Sequence, residues 1–187
     1  MKKVFITGLS KTSTKSMTSF INKSCMLDIK HYPIRNEKIN KLLKSKKKED
    51  LSVLLTIDGM SDIQVCPIYK LIDENIESVF IHTYRDIDSW LVSYKRHINI
   101  RPLPEENTPK KFLREEVYGT NEFNKEKLED AFLKYEKNIR KYFLNKKNFI
   151  DINIKDKNKE EKIYKFLSRH NFKIYKKNKY PWIGKSK

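Results

Sequence analysis

Apolar positions along the chain follow two alternating rhythms. Short apolar runs at 3–7, 26–31, 51–57, 78–84 and 148–154 have the length of strands. Between them apolar residues recur at helical spacing. Residues 14–24 put Met17, Phe20 and Ile21 on one face, and 36–48 do the same with Ile39, Leu42 and Leu43. Residues 125–144 align Leu128, Phe132, Tyr135, Ile139 and Phe143. Shorter helices are expected from Pro67 to about Asn75, from a cap at Asp86 or Asp88 to about His97, and over 158–169. Residues 99–124, with Pro102, Pro104, Pro109 and Gly119, break the rhythm and leave room for a short helix at 109–116. Alternation of this kind predicts an α/β fold, a three-layer sandwich around a mainly parallel five-stranded sheet. The length suits one domain over 1–187, with a basic tail from Lys173.

Ligands of such sheets bind outside the carboxyl ends of the strands. Two segments sit at that end. The first strand runs into Gly8-Leu-Ser-Lys11-Thr-Ser-Thr14-Lys15-Ser16, a polar, cationic loop that opens a helix. Backbone N–H groups, hydroxyls and ammonium groups can there converge on one anion at the positive end of a helix dipole. The fourth strand ends in Arg85, and Ser93 follows eight residues later on the next helix. The two segments could hold two separate phosphates of one nucleotide.

Charge adds one fact. Against 24 Asp+Glu stand 41 Lys+Arg, a net charge of +17. A polyanionic partner would explain this, and so would a compositional bias toward Lys, Asn and Ile. Cys25 and Cys66 have neither metal-ligand spacing nor a disulfide framework. The N-terminal apolar run is too short for a signal peptide, and no stretch approaches a membrane span. The expectation is a soluble, cytoplasmic protein without a membrane partner.

The loop Ser10-Lys11-Thr12-Ser13-Thr14-Lys15-Ser16 resembles the 5′-phosphosulfate loop of sulfotransferases that use 3′-phosphoadenosine 5′-phosphosulfate (PAPS). Lys11 and Thr14 fall on its two most characteristic positions. Ser10 and Ser13 depart from it, standing where the family has Pro and Gly. Arg85-Asp-Ile-Asp-Ser-Trp90-Leu-Val-Ser93 resembles the 3′-phosphate motif of the branch that reads R-D-x-x-x-W-x-x-S. Asp58, Asp62, Tyr69, Leu71, the Val117-Tyr-Gly119 segment and 161–167 extend the likeness over most of the chain. The resemblance implies a P-loop nucleotide-kinase-like fold and transfer of a sulfuryl group from PAPS to a hydroxyl or amine. The product would be adenosine 3′,5′-bisphosphate. It implies Lys11 at the bridging oxygen, Thr12, Ser13, Thr14, Lys15 and Ser16 as the cradle, and Arg85 with Ser93 on the 3′-phosphate. No metal is required.

The acceptor must lose a proton, so a base is wanted. Asp58, at the end of the expected 51–57 strand, is the first candidate, followed by Asp62 and His31. The acceptor, a small molecule or a glycan, would be shaped by 99–124. Trp90 is expected in the core, and His82 and His97 in structural or exposed places. Lys177, Lys179 and Lys185 could reach the 3′-phosphate, although a disordered tail is the plainer expectation. Two other readings stand beside this one. A degenerate P-loop kinase or NTPase would use Lys15-Ser16, but Thr14 stands where that motif needs Gly. A non-enzymatic basic module, binding glycan or the less favoured nucleic acid, would leave the Arg85–Ser93 spacing unexplained.

Overall fold

A computed structural model describes residues 2–33, 35–100 and 103–183. Pro102, Gly184 and Lys185 lie outside the described residues. The strands are β1 (Lys3–Thr7), β2 (Ile29–His31), β3 (Gly59–Ser61), β4 (Ser78–Tyr84) and β5 (Phe149–Asn153). They form one all-parallel sheet in the order β2-β3-β1-β4-β5. The helices are α1 (Thr14–Cys25), α2 (Glu37–Ser45), α3 (Ser52–Leu55), α4 (Tyr69–Asn75), α5 (Ile87–Asn99), α6 (Pro109–Tyr118), α7 (Lys125–Tyr142) and α8 (Lys159–Arg169).

Period-two alternation divides the core. Val4, Ile6, Val79 and Ile81 pack with Met17, Phe20 and Ile21 of α1 and Ile163 and Leu167 of α8. Phe5, Met60 and Phe80 face the other way, toward Leu42 of α2, Ile72 of α4 and Ile139 of α7. A third cluster gathers Leu9, Ile63, Trp90, Tyr94, Leu113, Tyr118 and Phe132 from the loops after β1 and β3 and from α5, α6 and α7. This cluster supports the loop that leaves β1.

The expected strand at 51–57 is instead helical, a 3₁₀ turn (Lys48–Leu51) followed by α3. A short apolar run fits either state by periodicity. Here Leu51, Val53 and Leu54 are buried while Leu55 is exposed. Lys3 Nζ donates to the carbonyls of Leu55 and Ile57 at 3.0 and 2.6 Å. The strand begins at Gly59, where a Cβ would lie 1.7 Å from the Val4 carbonyl oxygen. The close pairing of β1 with β3 therefore needs a glycine, a poor strand former by propensity. Within 103–124 the short helix expected at 109–116 forms as α6 (Pro109–Tyr118). Thr108 caps α6 and Pro109 opens it. The tail is packed as far as Ile183. Tyr175 N donates to Ser24 O at 2.8 Å, and Tyr180 is buried against Phe20.

Candidate active site

β1 delivers the chain at its carboxyl end to Gly8. A Cβ there would meet Thr83 Oγ1 at 2.4 Å and Thr12 Oγ1 at 2.6 Å. The turn can close because Gly8 has no side chain. Thr12 Oγ1 lies 2.7 Å from Leu9 O, to which it donates, and 3.0 Å from Thr83 Oγ1. Lys11 (φ 74°) and Ser13 (φ 70°) both adopt the left-handed conformation. Non-glycine residues there cost about 1 kcal/mol or more, and neighbouring contacts must hold them. Ser10 N donates to Tyr118 Oη at 2.9 Å, and Trp90 Nε1 donates to Ser10 O at 2.8 Å. The Tyr180 hydroxyl lies 3.2 Å from Ser13 O and 3.1 Å from Ser13 Oγ. Trp90 is thus a core residue that fixes the loop, and the tail compensates for Ser13 in place of glycine. Ile183 N donates to Ser16 Oγ at 3.0 Å, at the first turn of α1. No side chain caps α1, so its N-terminal amides remain suited to an anion.

Arg85 follows β4 directly. Its Nε donates to Ser89 Oγ at 2.8 Å and its Nη1 approaches Lys11 O at 3.5 Å. Asp86 caps α5 by accepting from Ser89 N at 2.8 Å, and Lys155 pairs with it at 2.6 Å. These contacts with Lys155 and Ser89 hold the Asp86 carboxyl well below the usual carboxylate range. Ser93 lies one turn beyond Ser89, half-buried. Arg85, Ser89 and Ser93 therefore form one line beside the loop. Ser89 escaped the sequence reading, although its spacing of four from both partners is the helical signal that could have found it.

The three base candidates separate. Asp58 precedes β3 instead of following a strand, so it lies at the amino end of the sheet. Its Oδ2 accepts from Asp28 N at 2.8 Å and its carbonyl accepts from Val4 N at 2.9 Å. It is not brought to the phosphate loop, because the helical 51–57 segment ends on the far side. His31 and Asp62 do reach the loop, from the carboxyl ends of β2 and β3. Asp62 Oδ1 accepts from Ser10 Oγ at 3.0 Å and from Ile63 N at 2.7 Å. His31 Nε2 is 3.5 Å from Asp62 Oδ2.

A chain of hydroxyls orients the imidazole. Thr18 Oγ1 lies 2.9 Å from Thr14 O and 2.7 Å from Ser61 Oγ. Ser61 Oγ lies 2.9 Å from His31 Nδ1. Thr18 Oγ1 donates to Thr14 O and to Ser61 Oγ, and Ser61 Oγ in turn contacts Nδ1, so the chain orients the ring and turns Nε2 toward Asp62. Burial pushes the imidazole below its usual 6.5, Asp62 opposes that shift, and Lys15 adds to it. His31 is therefore the uncharged form at neutral pH, with a carboxylate placed to hold the cation it would become.

Among the described residues no group of three or more His, Cys, Asp or Glu could hold a metal ion. No helix among them is long and apolar enough to cross a membrane. His82 is fully buried, between Thr7 Oγ1 at 3.2 Å and Glu136 Oε1 at 3.1 Å, in a structural place.

An all-parallel 2-3-1-4-5 sheet with an anion-ready loop after its central strand defines the P-loop type of α/β fold. The chain belongs to the sulfotransferase domain family, whose model matches residues 3–186. Among solved structures it is similar to a mouse sulfotransferase, SULT7A1, complexed with PAP (TM-score 0.54, 15% identity). That match covers 94% of this chain and 60% of the mouse chain, so this chain spans less than two thirds of the mouse chain's length. Shikimate kinase from Bacteroides thetaiotaomicron is also similar (TM-score 0.49, 11% identity, 91% of this chain and 98% of that one). So is thymidylate kinase from Candida albicans (TM-score 0.46, 11% identity, 91% and 92%). Comparison with curated proteins returns no match.

Proposed function

We propose that this protein transfers a sulfuryl group from PAPS to an acceptor hydroxyl or amine, leaving adenosine 3′,5′-bisphosphate. The observation that carries this reading is the convergence of two cationic anchors on one loop. The Lys11 turn and Arg85 meet at Lys11 O, at the carboxyl ends of β1 and β4. One nucleotide with phosphates at both ends fits that pair. The Gly8 turn and the uncapped start of α1 favour the 5′ end. Thr12, Ser13, Thr14, Lys15 and Ser16 supply its donors, and Arg85 with Ser93 supplies those for the 3′-phosphate.

Each residue then has a task. As the bond from sulfur to the bridging oxygen breaks, negative charge grows on that oxygen, and Lys11 stabilises it. The acceptor oxygen forms the new bond to sulfur and gives its proton to His31 Nε2. Asp62 holds the resulting imidazolium, and the Ser61–Thr18 chain keeps the ring oriented. Asp62 is thus a positioning and electrostatic partner, and Asp58 has no part in the step. The family and the carboxyl-end location together favour this over a phosphoryl-transfer reading.

Arg85→Ala tests the donor half. Titration calorimetry with adenosine 3′,5′-bisphosphate is expected to show binding weaker by about 2–4 kcal/mol. The fold should be retained, because Arg85 ends a strand outside the core. Unchanged affinity in the folded variant would remove Arg85 from the nucleotide site.

A further inference from the structure

α6 presents a charge that the fold does not answer. Arg114 is 5% exposed, between the apolar Leu113 and the one-turn neighbour Tyr118. Among the described residues no carboxylate, carbonyl or hydroxyl forms a hydrogen bond or ion pair with its guanidinium. Burying a charge without a partner is costly, and fold stability alone does not retain one. The surroundings are equally unfinished. The Tyr94 hydroxyl, on α5, is buried and without a hydrogen-bond partner among the described residues. It lies within the electrostatic reach of Arg114, Tyr32 and Asp62. Asp62 is already engaged by Ser10, Ile63 and His31.

The location matters as much as the chemistry. Tyr118 takes the Ser10 N–H on the same helical face as Arg114, one turn away. Arg114 therefore sits beside the phosphate loop, next to Tyr94, which is within reach of Asp62. That is where an acceptor would lie if the sulfuryl-transfer reading holds, and the inference rests on that reading.

We propose that Arg114, with the Tyr94 hydroxyl, binds an anionic group of the acceptor, a carboxylate or a phosphate carried on the molecule whose hydroxyl is sulfated. A planar guanidinium matches both anions with paired N–H donors, and the phenol adds a third. Binding the anion there would orient the acceptor hydroxyl toward His31 and discriminate against neutral alcohols, because those would leave the guanidinium unanswered.

The test compares matched acceptors with radiolabelled PAPS, using glucose against glucuronate and glucose 6-phosphate, and benzyl alcohol against 4-(hydroxymethyl)benzoate. The anionic members should be sulfated at least about tenfold faster, and the better of the two sugar acids identifies the anion. Arg114→Met should abolish that preference while leaving affinity for adenosine 3′,5′-bisphosphate unchanged. With no ligand present, Arg114→Met should also melt about 2–4 °C higher, since a lone buried charge is removed. A lower melting temperature would give Arg114 a structural role and overturn the proposal. So would equal rates for neutral and anionic acceptors, or a loss of bisphosphate binding in the variant, which would put the guanidinium on the donor. Failure of the bisphosphate to bind the wild-type protein would instead defeat the sulfotransferase reading beneath it.

Discussion

His31→Ala is expected to lower turnover by about 100- to 10,000-fold, the usual contribution of a positioned general base. Affinity for adenosine 3′,5′-bisphosphate should stay unchanged, because the proposed base acts on the acceptor and not on the nucleotide. Its Nδ1 is taken up by Ser61 Oγ, 2.9 Å away, which leaves Nε2 as the position open to an acceptor. Asp62→Asn should reproduce part of the loss, since it removes the carboxylate 3.5 Å from Nε2. The pH dependence has a definite sign. Burial lowers the imidazole below 6.5, so turnover should be flat through pH 7 and fall only as the pH drops below that value. In Asp62→Asn the acid limb should move to still lower pH, because the group that raises the imidazole pKa is gone. A rate profile measured between pH 5 and 8 checks both statements. Full activity in His31→Ala would place the base elsewhere.

Lys11→Ala should depress turnover by about 100- to 1000-fold while weakening bisphosphate binding far less. The reason is differential stabilisation. Charge on the bridging oxygen develops mainly in the transition state, so a cation there acts mostly on the rate. Lys11 is held at a left-handed turn position by the loop, with Arg85 Nη1 approaching its carbonyl. The measurement is single-turnover transfer from radiolabelled PAPS beside calorimetric binding of the bisphosphate. Equal losses in both would make Lys11 a simple anchor for the nucleotide.

The layout of the fold was legible because its signals are local. The 3.6-residue period of Met17, Phe20 and Ile21 and of Leu128, Phe132 and Ile139 marks α1 and α7 from the sequence alone. Arg85 at a strand end and a polar loop after the first strand are likewise visible without coordinates. The 51–57 segment misled because Leu51, Val53 and Leu54 are apolar enough for either state. What decides it is that β1 and β3 approach each other so closely at Gly59, a tertiary fact. That single shift moved Asp58 to the wrong end of the sheet and left Asp62 and His31 beside the loop. The Thr14–Thr18–Ser61–His31 chain joins three elements, so no sequence spacing could show it. Arg114 stands inside an apolar helical face, and that inward placement was the available hint. The tail gave less warning still. Its lysines suggested loose chain, yet Tyr180 reaches Ser13 across the chain and steadies the one loop position that departs most from the family pattern.

In the proposed reaction the loop and Arg85 together hold a nucleotide phosphorylated at both its 3′ and 5′ ends. Thermal shift with adenosine 3′,5′-bisphosphate, AMP and ADP, each at the same concentration, tests it most directly. A clearly larger rise in melting temperature is expected with the bisphosphate than with either of the others, and loss of that difference in Arg85→Ala. Equal shifts for all three nucleotides, or a larger shift with ADP, would contradict it.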